Sequence, residues 1–117
     1  MLQNTVTVAI SFIVRVFKQL SFIMYHFNRY SYNFYTDPAH GWLEVPIELL
    51  QELNISNKIS RCSYIDHTET NVYLEEDCDA PILLKAFKEK YNESLEFDEV
   101  HTNDESFVRE LPSYYEV

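Results

Sequence analysis

The feature that most constrains this chain is the division of its charge: residues 1–36 carry three basic residues and no acid, while all 19 Asp and Glu lie in residues 37–117. Counting Lys and Arg alone against them, the first stretch is +3 and the second −13, giving the chain its net −10. An acidic globular part therefore follows an apolar, slightly basic leader. At 117 residues the chain holds one domain at most, and the part beyond the leader is close to the smallest that folds alone. Its core must be compact, and nine Tyr, eight Phe and one Trp supply the buried area, each buried phenol or indole needing a hydrogen-bond partner. Such a ring content in a chain that is 46% hydrophobic argues against disorder. Cys62 and Cys78 make neither a CxxC spacing nor a second pair, so a zinc ribbon or a disulfide scaffold is not indicated. They read as reduced, half-buried thiols of a cytosolic protein.

The run from Thr5 to Met24 is the one strongly apolar stretch, and Arg15 and Lys18 interrupt it. Two cations in mid-run disfavour a membrane span. A secretory signal would place its charges before the apolar core and a small-residue cleavage site after it, which this segment does not do. On a helical wheel Asn4, Thr7, Ser11, Arg15 and Lys18 form a narrow polar stripe, so a helix here wants burial on most sides. It would pack on the domain, pair with a second copy as a homodimer, or lie in a membrane interface. Met24 also offers an internal start, with 24–117 as the natural protein. The domain reading is thus a leader over 1–29, a core over 30–105 and a C-terminal tail over 106–117.

From Tyr30 to Thr36 the alternation suits a half-buried strand. Asp37, Pro38, Ala39, His40 and Gly41 then form a turn holding the chain's single Gly, a position that needs positive φ or close backbone approach. Trp42 to Val45 is a short extended piece. Pro46 starts a helix running to Leu53, which Asn54 ends. Lys58 to Asp66 and Val72 to Leu74 flank a polar turn and read as a hairpin. A second helix follows, with Asp79 as its cap, Pro81 in its first turn and Leu83, Leu84, Phe87 and Tyr91 on its apolar face. Leu95 to His101 is a last strand, and the tail beyond it offers only Phe107, Val108, Leu111, Tyr114 and Tyr115 for docking. The fold class is α+β: a small single domain with an antiparallel or mixed sheet of about four strands and two helices, preceded by the apolar N-terminal segment.

The strings Phe34-Tyr35-Thr36-Asp37-Pro38-Ala39-His40-Gly41-Trp42-Leu43-Glu44-Val45-Pro46, Lys58-Ile59-Ser60, Ser63-Tyr64 and Tyr73-Leu74-Glu75-Glu76-Asp77-Cys78-Asp79-Ala80 resemble a family of short orphan proteins of bacteriophages and mobile elements. The likeness covers roughly residues 32–105, and the leader lies outside it. It brings no known activity. What it implies is context, because small accessory proteins of such elements often disarm host defence or adjust host machinery.

Among candidate chemistries, Glu75, Glu76, Asp77 and Asp79 put four carboxylates into five residues at a strand-to-helix junction, which suggests a hard cation. The run lacks the central Gly and distal Glu of an EF-hand loop, so the plainer reading is a helix cap at Asp79 with solvated acids beside it. Asp37 and His40 make a possible ligand or acid–base pair. The plainer reading is an Asx turn around Pro38, with His40 beside Trp42. Acids near both cysteines disfavour a thiolate nucleophile, and no GxSxG, phosphate loop or HExxH is present. Gly41, Trp42, Pro46 and Asp79 read as structural, with no catalytic residue and no cofactor.

What remains is the acidic surface. Glu75, Glu76 and Asp77, with Glu96, Asp98, Glu99, Asp104 and Glu105, would face a host protein through its basic, nucleic-acid-binding groove, whereas direct binding of nucleic acid by such a surface is implausible. The first expectation is therefore a cytoplasmic, non-enzymatic interaction protein acting in the host cell as an inhibitor of the anti-CRISPR or anti-restriction type. The alternatives are a small metal-dependent enzyme or metal sensor using Asp37, His40 and the 75–79 acids, and a membrane-interface protein anchored by residues 5–24.

Overall fold

The computed structural model describes residues 9–18 and 32–117. The chain divides into two compact units, Met1–Tyr30 and Ser31–Val117. In the first, residues 9–18 form a helix, α1, on which the apolar Ile10, Phe12, Ile13 and Phe17 are exposed, as are Ser11, Arg15 and Lys18 of the expected polar stripe. Among the described residues no helix is long and apolar enough to cross a membrane. The rest of the run from Thr5 to Met24, Met24 itself, and Tyr30 and Ser31 of the expected first strand lie outside the described residues.

The second unit is an α+β domain around a mixed sheet. Its strands are β1 (Tyr32–Thr36), β2 (Gly41–Pro46), β3 (Tyr64–Ile65), β4 (Asn71–Glu75) and β5 (Phe97–His101), in the spatial order β3-β4-β2-β1-β5. The β1–β2, β2–β4 and β3–β4 pairs are antiparallel and β1–β5 is parallel. Five strands replace the expected four or so because Trp42 to Val45, read as a short extended piece, is the central strand. Its residues are almost all buried, since both faces of the sheet are covered there. A strand covered on both faces has no polar–apolar alternation to betray it. The expected long strand from Lys58 is mostly loop: Ser56–Lys58 is a 3-10 turn, and pairing begins only at Tyr64.

Register sorts the core into two layers, because residues opposite one another in a ladder share a face. Trp42 and Glu44 of β2 stand with Tyr35 of β1, Tyr73 and Glu75 of β4 and Tyr64 of β3. The C-terminal segment covers this aromatic face. Val108 is fully buried against Trp42 and Tyr73, and the Phe107 ring stands edge-on to Tyr35 and Tyr73 at 5.0 and 5.8 Å. The same segment closes one edge of the sheet, where Ile65 donates its amide to Pro112 O, Tyr114 donates to Ser63 O and Tyr64 bridges to Ser113. The opposite face presents Leu43, Val45, Ile65, Val72 and Leu74, all essentially inaccessible. The helices α2 (Ile47–Glu52) and α3 (Ala80–Tyr91) bring buried Leu49, Leu50, Leu83 and Phe87 to the core. Their ends are joined at Glu52, whose carboxylate accepts from the Tyr91 hydroxyl at 2.7 Å and whose carbonyl accepts from Lys90 at 2.8 Å.

One local expectation changes and another is narrowed. Asp79 stands at the N-terminus of α3 but makes no side-chain cap. Its carboxylate instead accepts from the Ser60 amide and hydroxyl at 3.1 and 2.8 Å and from the Ser63 hydroxyl at 2.5 Å. It is 1% exposed, and these bonds hold the Ser60–Ser63 bend against the helix start. Gly41 is required for close approach rather than for positive φ, since no glycine here has φ above zero. A Cβ at Gly41 would stand 2.5 Å from Cζ of Phe34 and 3.1 Å from Oε2 of Glu76. Gly41→Ala is therefore expected to destabilise the domain by about 1–3 kcal/mol through overpacking. Phe34→Leu, by removing the opposing ring atom, should recover part of that loss, a coupling read from urea denaturation of the double-mutant cycle.

Candidate functional site

Strand directions bring the expected site residues together. Because β2 is antiparallel to β1 and β4, while β5 is parallel to β1, the chain leaves β1, β4 and β5 at the same end of the sheet. The turn 37–40, the junction 75–79 and the loop 102–106 share that end.

Asp37 organises the first of these. Its Oδ1 accepts from the amides of Ala39 and His40 at 3.0 and 2.9 Å, which is the Asx turn expected around Pro38. Its Oδ2 accepts from the Ser106 amide at 3.1 Å and from Nε of Arg109 at 2.6 Å, and Nη2 of Arg109 reaches Oδ1 at 3.1 Å. The Arg109 guanidinium lies over the Trp42 ring, 5.1 Å from its centre. The guanidinium, joined by the three amides, holds the Asp37 carboxyl far below the usual carboxylate range, although burial works the other way. Both oxygens of Asp37 are thus engaged, so the ligand set imagined from Asp37 with His40 is not assembled.

His40 turns instead toward Trp42, ring centres 6.1 Å apart, and toward Glu75, whose Oε1 lies 3.4 Å from Nδ1. Glu75 was expected to be a solvated acid. It is only 8% exposed, because as the last residue of β4 it stands opposite Trp42 on the covered face. Its Oε2 accepts from the amides of Asp77 and Cys78, both at 2.9 Å, and so closes the junction into α3. Its Oε1 is buried, and among the described residues no donor is aligned to hydrogen-bond it. The Glu76 amide is tied to Gly41 O at 3.0 Å. One ligand-type atom from each of His40, Glu75 and Glu76 lies within 4.8 Å of the others. An open groove of about 380 Å³ runs past His40, Trp42, Glu75 and Arg109, with Cys62 and Cys78 on its wall. Asp77, at its rim, is exposed.

The cysteines are free and exposed. The neighbouring Cys62 thiol and the Glu75 carboxylate push the Cys78 thiol up to about 12, so it is protonated at neutral pH and is a poor nucleophile. The remaining acids of the expected surface, Glu96, Asp98, Glu99, Asp104 and Glu105, are all exposed on β5 and in the segments flanking it. Glu99 also accepts from the Thr36 hydroxyl at 2.9 Å. No described strand pairs with the outer edge of β5.

Sequence reasoning missed Arg109, Ser106, Ser60 and Ser63. Arg109 carried a signal, as the lone cation in a strongly acidic C-terminal stretch. The serines carried none, because a hydroxyl or amide that answers a carboxylate distant in sequence leaves no local pattern. No protein-family model, no curated protein and no solved structure matches the chain.

Because the folded state depresses the Asp37 pKa, its stabilising contribution is complete above the unfolded value of about 4 and is lost as the pH falls below it. Arg109→Gln should therefore lower the urea midpoint at neutral pH, with the gap to the parent protein narrowing as the pH is brought below about 4. Unfolding curves at several pH values check this; a gap independent of pH would show that the ion pair is not its source. For the thiols, Cys78 should react slowly with iodoacetamide near neutral pH and speed up in Cys62→Ser, as followed by peptide mass spectrometry.

Proposed function

We propose that the chain is a non-enzymatic interaction protein of a phage or mobile element that occupies a basic, nucleic-acid-binding surface of a host protein, in the manner of an inhibitor of a defence complex acting in the host cytoplasm. The observation that carries this reading is the gathering of Glu96, Asp98, Glu99, Asp104 and Glu105, all exposed, on and beside a strand at the margin of the sheet. Phe97 and Val100, 46% and 44% exposed, lie among them. Apolar groups within an acidic surround suit a protein partner whose own groove mixes Lys and Arg with apolar walls. A second copy fits this strand poorly, because like charges would face one another across the pair. Free nucleic acid fits worse, for the same electrostatic reason. The family likeness of the 34–46 and 73–80 strings supports the phage or mobile-element setting.

The test is capture from a nuclease-treated bacterial lysate on the immobilised full chain, eluted by a step in salt. A nucleic-acid-binding protein that leaves the column at high salt is expected, because screening weakens exposed charge pairs. The same protein should be absent from a column bearing Glu96→Gln, Asp98→Asn, Glu99→Gln, Asp104→Asn and Glu105→Gln together. Equal capture by the two columns would overturn the reading.

A further inference from the structure

We propose that the cluster of His40, Glu75 and Glu76 at the end of the sheet, beside the groove that His40 and Glu75 line, holds a first-row divalent transition ion, zinc being the natural probe, through the imidazole and the two carboxylates. The proposal goes beyond the partner-binding role of the β5 acids and uses none of them. It starts from Glu75. A residue over nine-tenths buried keeps one carboxylate oxygen fixed on the amides of Asp77 and Cys78 and turns the other, with no aligned donor among the described residues, toward His40. Buried polar atoms are normally satisfied, whereas this oxygen makes no hydrogen bond among the described residues and faces the His40 ring nitrogen, 3.4 Å away. A cation between Glu75 Oε1 and the exposed His40 ring answers that deficit.

The surroundings favour the same conclusion. Glu76 joins His40 and Glu75 with ligand-type atoms all within 4.8 Å of one another, a spread that small rotations of the exposed His40 and Glu76 side chains would close onto an ion about 2 Å from each. A side chain at Gly41, which would collide first with the Phe34 ring at 2.5 Å, would also press on Glu76 Oε2 at 3.1 Å. His40 is positioned by its backbone amide, which donates a hydrogen bond to Asp37 Oδ1, and by its packing on Trp42. One imidazole with two carboxylates suits zinc, manganese or iron better than calcium or magnesium, which prefer all-oxygen shells. Three protein ligands beside an open groove leave coordination positions for water or a small anion, the arrangement of an exchangeable rather than a closed structural site. The thiols of Cys62 and Cys78 line the groove but are not needed for the set, which makes them the main competitor for added zinc.

The full chain carries its own reporter, because Trp42 is its only tryptophan and its ring centre stands 6.1 Å from that of His40. Titration with zinc should change Trp42 emission and reach saturation at a one-to-one ratio, with matching heat by calorimetry. His40→Gln and Glu76→Gln, both altering partly exposed side chains, should weaken binding roughly tenfold or more. Cys62→Ser with Cys78→Ser should leave affinity within a factor of about two. Near-UV circular dichroism confirms that each variant is folded, and Glu75→Gln, which retains an oxygen for the Asp77 and Cys78 amides, provides a third ligand test. Binding lost in the double serine variant but kept in His40→Gln would place zinc on the thiols and overturn the proposal, as would the absence of any saturable response at millimolar zinc.

Discussion

The domain depends on one carboxylate. Asp37 closes its own turn through two amides and clasps the C-terminal segment through the Ser106 amide and both reaching nitrogens of Arg109. Asp37 is buried while the Arg109 side chain stays 31% exposed, and a pair of this kind gains little net stability over an apolar replacement although the buried carboxylate is unfavourable to leave unpaired. Its effect here is positional. By holding Ser106 and Arg109, it places Val108 over Trp42 and Tyr73 and carries the chain on to the bonds that Pro112 and Tyr114 make with β3. A small sheet with helices on one side would otherwise expose its aromatic face. The C-terminal segment, through Val108 with Phe107, thereby becomes the second layer of the core.

How much of this was written in the sequence depends on the range of the interaction. Local patterns were legible: the Asx turn at Asp37, the strand leading into it, the α3 apolar face apart from Leu84, which is exposed, and the close approach at Gly41, made by the Phe34 ring and the Glu76 carboxylate, each follow from a few neighbouring residues. Trp42 to Val45 was seen as extended but not as the centre of the sheet, because burial on both faces erases the alternation that marks a strand. Asp79 shows the opposite failure. Its type and position spelled a helix cap, yet Ser60 and Ser63, distant in sequence, offered three donors and drew the carboxylate away. In the site, His40 and the 75–76 acids were identified, but their partner was assigned to Asp37, because nothing local reveals that Arg109 has already taken it. Long-range pairing was the missing information in each case.

The sheet therefore carries two separate electrostatic arrangements, one along β5 and one at the end where β4 finishes. On the β5 side, exposed acids are set among exposed apolar groups, a surface that costs the fold little and whose like charges discourage self-pairing at the sheet margin. On the β4 side, charge has been taken out of water. Glu75 needs only one oxygen to close the junction into α3, and an amide side chain would supply it; the second, negatively charged oxygen does nothing for that turn and lies without an aligned donor beside His40. The single Gly leaves space that the Phe34 ring and the Glu76 carboxylate share. A sequence shaped for folding alone keeps its local choices consistent and its buried polar atoms paired. Trp42 Nε1 and Ser56 Oγ are also buried without a hydrogen-bond partner among the described residues, but only at Glu75 does the unpaired atom belong to a carboxylate with a second carboxylate and an imidazole close by, which is the physical reason to place ligand chemistry there and partner recognition on β5.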